Sequence, residues 1–232
     1  MTAGLAHYTA LYPATYRDRN GEEITAIHND GKTLRMVVRG VEFVGRMLDD
    51  FAPVGLDGND PALASFHLGH HPQDEPMLCD CVIAYDMPLP VVQGGVVVVG
   101  KLRVRVDLGA PTERGGLDHE AMQMTLHLNE AVYRGSGASG WFEDELIEIQ
   151  RALPTGTYLQ ACIGCQWGDY GVGGHGAFGC MLCFRGSKRA YLAVQTKRDY
   201  LTMKAGPTEQ VQRTYLCPEF QRRGVPGTGY RG

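Results

Sequence analysis

The chain has 232 residues, with 22 Lys and Arg against 26 Asp and Glu, for a formal net charge of -4. At 44% hydrophobic and 21% charged residues it can bury an ordinary core, which excludes global disorder. The near-neutral balance argues against a whole-chain nucleic-acid or membrane-surface binder, and no apolar run approaches the roughly 18 residues of a membrane helix.

Read from the N-terminus, the first signals are strands. Glu23 to His28, Thr33 to Val38 and Val41 to Val44 are β-rich, and Asn29-Asp30-Gly31 between the first two is a hairpin signal. Residues 52 to 77 read as loop, with Pro53, Gly55, Gly58, Pro61, Pro72 and Pro76 and the histidines His67, His70 and His71. Strand signals resume at Cys79 to Tyr85. From Gly95 to Leu108, Leu102, Val104 and Val106 alternate with Lys101, Arg103 and Arg105, the pattern of a sheet with one wet face. Met122 to Val132 repeats that alternation and reads as one further strand.

Trp141 to Leu153 is the one main helix. Phe142, Leu146, Ile149 and Leu153 fall at helical spacing, Glu143, Asp144 and Glu145 crowd the first turn, and Pro154 stops it. Ser139 or Gly140 would cap it. Strand-like segments follow at Thr157 to Cys162, Phe178 to Phe184 and Ala190 to Val194, and a short helix is expected over Thr208 to Leu216. The fold expected is mainly β (α+β), a β-sandwich or distorted barrel with one main helix and a zinc-ribbon-like C-terminal subdomain held by four cysteines. Residues 1–232 form one compact unit in this reading, with a subdivision into a 1–135 β-rich body and a 136–232 helix-plus-zinc part.

That subdomain rests on cysteine spacing. Met1 to His7 lacks the basic-then-apolar pattern of a signal peptide, so the expected compartment is cytoplasmic, where thiols stay reduced. Seven cysteines then require a role other than disulfides. Cys162-Ile-Gly-Cys165, 14 residues, and Cys180-Met-Leu-Cys183 supply the two pairs of thiolates that complete a tetrahedral Zn(II) shell. A closed four-sulfur shell leaves no position for water, so the zinc is expected to be structural. The competing reading is a buried strand with cysteines as small hydrophobes. In a regular strand Cys180 and Cys183 face opposite sides, so both ligate only if the backbone turns between them.

His67, His70 and His71 with Cys79 and Cys81 are good ligand types in a spacing that matches no standard zinc signature. Cys217, before Pro218, has no partner in either scheme. Asp169, His175 and Cys217 are the candidate catalytic groups for an enzymatic alternative. Gly135-Ser-Gly137-Ala-Ser-Gly140 matches a dinucleotide fingerprint between a strand and a helix. It is discounted because three acidic residues occupy the helix N-terminus, the preceding strand is amphipathic, and no βα succession follows. No cofactor other than zinc is therefore expected. Gly171-Val-Gly173-Gly174-His-Gly176 also matches, with no helix after it.

Charge is uneven: residues from Phe184 onward carry a net +7 and those before it -11. The basic end, with Tyr191, Tyr200, Tyr215 and Phe220 interspersed, suggests nucleic acid as a partner; pairing with the acidic remainder is the plainer expectation. The segment from Cys162 to Arg185, with Asp169-Tyr170 and Phe178-Gly179, and the ending Thr214-Tyr-Leu-Cys-Pro-Glu-Phe220 resemble a family of uncharacterised actinobacterial proteins catalogued as a domain of unknown function. The resemblance implies a bacterial cytoplasmic setting and supplies no mechanism. Three functions follow as expectations: a zinc-stabilised binding or accessory module, with a protein or small molecule as partner; an enzyme of specialised metabolism or modification chemistry; or a nucleic-acid binder.

Overall fold

The structure, a computed structural model, describes residues 9–57, 60–70, 76–170, 178–179, 181–224 and 229–230. Strands β1 (Ala10–Asp18), β2 (Gly21–Asn29), β3 (Leu34–Val38), β4 (Val41–Gly45) and β5 (Ala52–Pro53) form an antiparallel meander. Short β6 (Leu68–His70) and β7 (Pro76–Leu78) pair with each other. Long β8 (Cys81–Gln93) and β9 (Val96–Leu108) lead into β10 (Glu120–Leu128) and β11 (Ala131–Arg134). These join in one sheet of order β11-β10-β9-β8-β1-β2-β3-β4-β5, which is open at both ends rather than closed into the expected barrel. A closed barrel needs its two terminal strands paired; β11 and β5 stand at opposite edges.

The turns follow from their residues. In β3–β4, Val38 pairs with Val41 across Arg39-Gly40, both at positive φ; in β8–β9, Gln93 pairs with Val96 across Gly94-Gly95, again both positive. Such two-residue turns match the twist of the flanking strands. Gly94 and Gly95 thus reverse the chain between two 13-residue strands. Met122 to Val132 is not one strand: Asn129 at φ 53° turns the chain, and Leu128 pairs with Ala131. In β2–β3 the Asp30 carboxylate accepts from the N–H groups of Lys32 and Thr33, as the Asn-Asp-Gly signal implies.

The core lies on one face of the sheet. Tyr12, Tyr16, Ile83, Tyr85, Leu102, Val104, Met124 and Leu126 are buried, while Lys101, Arg103 and Gln123 face solvent. Helix α1 (Phe142–Ala152) covers β10 and β11 with Phe142, Leu146 and Ile149. Its N-cap residue is Trp141, with no side-chain cap bond; Ser139 Oγ instead accepts from the Trp141 N–H at 3.1 Å. The loop before it explains the discounted glycine motif. The Gly137 N–H donates to both oxygens of Glu145 at 3.0 Å, and the Ser136 N–H to Glu148 at 2.6 Å. Carboxylates of the chain's own helix occupy the donors that a pyrophosphate would need.

Two further expectations fail beyond α1. Residues 190–194 lie not in a strand but largely in helix α2 (Lys188–Leu192), followed by α3 (Lys197–Thr202) with a Thr196–Asp199 capping box. Residues 208–216 are not helical: β15 (Glu209–Val211) joins β13 (Gly168–Tyr170) and β14 (Met181–Cys183) in a small sheet of order β13-β14-β15. Short β12 (Tyr158–Leu159) pairs with Val91 and Val92, on the edge of β8 beyond the part that β1 covers. It attaches the C-terminal lobe directly to the main sheet.

Asp49, between β4 and β5, gives the fold a pH dependence. Burial, with Glu120 and Asp50 adding to it, pushes its carboxyl up to about 7. The folded state therefore binds a proton that the unfolded chain releases near the usual carboxylate value. Asp49's contribution is full below that value and is lost as pH rises from about 4 to about 7. Asp49→Asn is expected to flatten this part of the stability–pH curve, measured by urea unfolding at several pH values; parallel curves for the two proteins would contradict it.

Candidate metal centre

The first cysteine pair lies on a tight turn. Residues Cys162–Gly164 form one 3₁₀ turn, and the Cys165 N–H donates to the Cys162 carbonyl at 3.0 Å. The turn is held on both sides by the C-terminal chain. On one side the Cys162 and Ile163 N–H groups donate to the carbonyls of Tyr215 and Arg213, at 3.1 and 2.9 Å. On the other, Gln166 N–H donates to Gln221 O at 2.7 Å and Arg223 N–H to Gly164 O at 2.9 Å. Cys217 lies in the short connection between these two clamps.

The second pair is different. β14 is a regular strand, paired on one edge with β13 and on the other with β15, and Met181 and Cys183 share its buried face. Over 181–183 the backbone is a straight strand, and the described residues do not support a zinc ribbon. Cys180 itself, like His175 and His71, lies outside the described residues.

Cys162, Cys165, Cys183 and Cys217 are all thiols outside any disulfide and are 4–6% exposed. Burial raises the Cys162 pKa well above the ordinary thiol value, and the neighbouring Cys165, Cys183 and Cys217 add to it. Burial also raises Cys183, against the N–H of Arg185, which donates to its sulfur, and the Arg185 charge. Cys217 Sγ accepts from the Glu219 N–H at 3.4 Å and from Arg185 Nη1 at 3.5 Å. Arg185 in turn holds Glu209 at 2.5 Å. Chemically these are buried thiols with the Arg185 cation beside Cys217, and a thiol is a soft ligand type that binds metal only once deprotonated. Among the described residues, no group of three or more His, Cys, Asp or Glu side chains stands at metal-holding geometry.

The other candidates are dispersed. Asp169 is buried within the lobe, where it accepts from the Tyr191 hydroxyl at 2.8 Å and the Tyr170 N–H at 2.7 Å. Arg223 also donates to Tyr191 Oη at 2.8 Å, and the Tyr191 hydroxyl reaches the Tyr230 carbonyl at 2.7 Å. His67 pairs with Asp80, His70 is exposed on β6, and Cys79 and Cys81 are buried. Burial pushes the Cys79 and Cys81 thiols up to about 11 and about 12. Sequence reasoning missed a shallow cleft lined by Asp18, Asp80, Cys81, Asp107 and His119. Its parts come from loops and strand ends remote in sequence, so that Cys81, noted as a ligand type, gave no sign of its neighbours Asp18, Asp107 and His119.

Several basic C-terminal residues are used internally. Arg213 pairs with Glu143, Arg185 with Glu209 and Lys188 with Glu219. Arg222 lies over the Tyr158 ring at 4.3 Å.

Fold and site together define a mainly β protein with a thiol-rich lobe docked on the edge of a wide antiparallel sheet. The chain belongs to a family of unknown function, DUF6304, whose model matches residues 10–168. The match covers the main sheet and the first cysteine pair, and ends before β14. No curated protein and no solved structure matches the chain. No helix of the described residues is long and apolar enough to cross a membrane.

Proposed function

We propose that this chain is a zinc-stabilised binding or accessory protein of the cytoplasm, in which the metal locks the C-terminal lobe onto the main sheet. The observation that carries the reading is the 3₁₀ turn of the buried thiols Cys162 and Cys165, whose flanks are stitched to the C-terminal chain, with the buried Cys183 and Cys217 near enough to act on Cys162. Small sheets of three-residue strands bury little apolar area and gain most from a metal crosslink. The role is structural, because a shell filled by sulfur offers no open position to a substrate. Asp169 and Cys217 are engaged inside the lobe, which favours this reading over the enzymatic one. The internal pairing of Arg185, Lys188 and Arg213 favours it over nucleic-acid binding. Metal analysis of protein purified without added metal tests it: about one zinc per chain is expected, and a metal-free, fully folded protein would sink it.

A further inference from the structure

We propose that two copies of this chain associate through the open edge of β9, pairing their Val96 to Val99 segments antiparallel about a twofold axis. The inference is separate from the zinc reading and holds with or without the metal.

The edge follows from the register. β9 pairs with β8 along its whole length, but β10 pairs with it only from Lys101 to Leu108. Val96 to Gly100 therefore have no second partner strand among the described residues. The Pro90 carbonyl, opposite Val99, accepts from the Gln160 N–H at 2.8 Å and so points away from β9. Opposed pairs alternate along an antiparallel ladder, so Pro90 with Val99 and Val92 with Val97 are the pairs that exchange no hydrogen bonds. The N–H and C=O groups of Val97 and Val99 are thus turned outward, to the open edge.

Other edges of the main sheet are blunted. β5 is two residues long and contains Pro53, α1 packs on β11, and β12 takes the edge of β8 at this same end. Shortness, proline and a covering element are devices that prevent strand-to-strand association. Val96 to Val99 has none of them and no charge. Val96, Val97 and Val99 are 64%, 51% and 68% exposed.

The chemistry of the segment selects a second copy as its occupant. Met87 to Gly100 contains no charged residue, so two chains of the same net charge meet there without local repulsion. The turn at this end is Gly94-Gly95, with open space around both Cα atoms, so no side chain obstructs the approach. Four identical residues read alike in either direction, which suits a contact that is its own complement. With the axis at Val97, that residue faces its copy and Val96 faces Val98, each pair on one face of the joined sheet. Three exposed valines offer well under the roughly 800 Å² per partner of a standard interface. The dimer is therefore weak and reversible.

Sedimentation equilibrium of the full chain, from about 1 to about 500 µM, tests the pairing. The mass is expected to rise from 25.4 kDa toward twice that value. Val97→Lys sets like charges directly opposite and is expected to keep the chain monomeric throughout, with unchanged unfolding. Val97→Pro removes an outward N–H without breaking a bond to β8, and is expected to weaken association about tenfold. If Val97→Pro fails to fold, Val97→Lys decides. Ile24→Lys is the control, at an 87% exposed apolar site on β2, three strands from β9, and is expected to dimerise as wild type does. A wild type that stays monomeric overturns the proposal. So does a folded Val97→Lys or Val97→Pro chain that dimerises as wild type does, or an Ile24→Lys chain that does not.

Discussion

Stripping the metal is expected to unfold the C-terminal lobe while the main sheet persists. The asymmetry follows from what holds each part. The sheet is built on strands of up to 13 residues with a continuous buried face, from Tyr12 through Leu102 to Leu126. The lobe has strands of three residues, two short helices and an apolar cluster of its own around Trp167, Phe184 and Tyr191, and shares the main core only through residues such as Ile163, Phe178, Met181 and Tyr215. Structural zinc supplies on the order of 10 kcal/mol of apparent binding free energy, more than the whole stability of many small domains. Amide hydrogen exchange with and without a zinc chelator reads this residue by residue. Protection is expected to collapse over residues 162–223 and to stay high in β8, β9 and β10. Uniform protection in both conditions would contradict a structural metal.

The second large effect is expected at Arg213. Its side chain and that of Glu143 are each 1% exposed, with Nη2 and Nε at 2.8 and 3.2 Å from the same Glu143 oxygen. Glu143 sits in the first turn of α1, where the helix dipole favours a carboxylate. The Arg213 backbone meanwhile receives the Ile163 N–H and donates to Phe178, so this residue joins helix, cysteine turn and lobe. Removing one member leaves a buried charge uncompensated, at about 3–5 kcal/mol, whereas replacing both by apolar groups costs much less. Arg213→Ala should therefore lower the urea midpoint strongly, and Glu143→Leu combined with Arg213→Met should recover most of the loss. An Arg213→Ala loss below about 1 kcal/mol, the scale of a surface pair, would show that the pair is not structural.

The neighbouring Asn29 and Gln212 amides reinforce the same junction. Each donates to the other at 2.8 Å, and Asn29 also donates to Tyr12 Oη at 3.0 Å. Residues 211–215 are thus anchored to both β2 and α1 before the chain reaches Cys217.

How far the sequence disclosed this arrangement varied with the range of the determining contacts. The wet-face alternation of Leu102, Val104 and Val106 was readable because a strand's own period of two carries it. So was α1, whose Phe142, Leu146 and Ile149 all lie buried. β1 was obscured by Pro13, which is tolerated because β8 pairs only from Ala14 to Arg17 and leaves Pro13 unopposed on that side. In the lobe, strands of three residues carry too little pattern to read, and partners distant in sequence decide their state; residues 209–211 became a strand only by pairing with β14. Thr196 and Asp199 offered a capping signal for α3 that the β-rich surroundings masked.

The candidate site divided in the same way. Cys162 and Cys165 form a local motif and were legible from spacing alone. The second pair was proposed from spacing alone, and over 181–183 the backbone is a straight strand whose state its partners β13 and β15 decide. The placement of Cys217 was not readable, because it stands 34 positions beyond Cys183 and backbone bonds from Tyr215 and Gln221, on either side of it, tie its segment to the 162–166 turn.

Zinc content of the wild-type chain, purified without added metal and under reducing conditions, tests the central claim most directly. About one zinc per chain is expected, retained through gel filtration and released by thiol-modifying reagents. A folded chain that carries no zinc, and whose thiols react with no loss of structure, would contradict it.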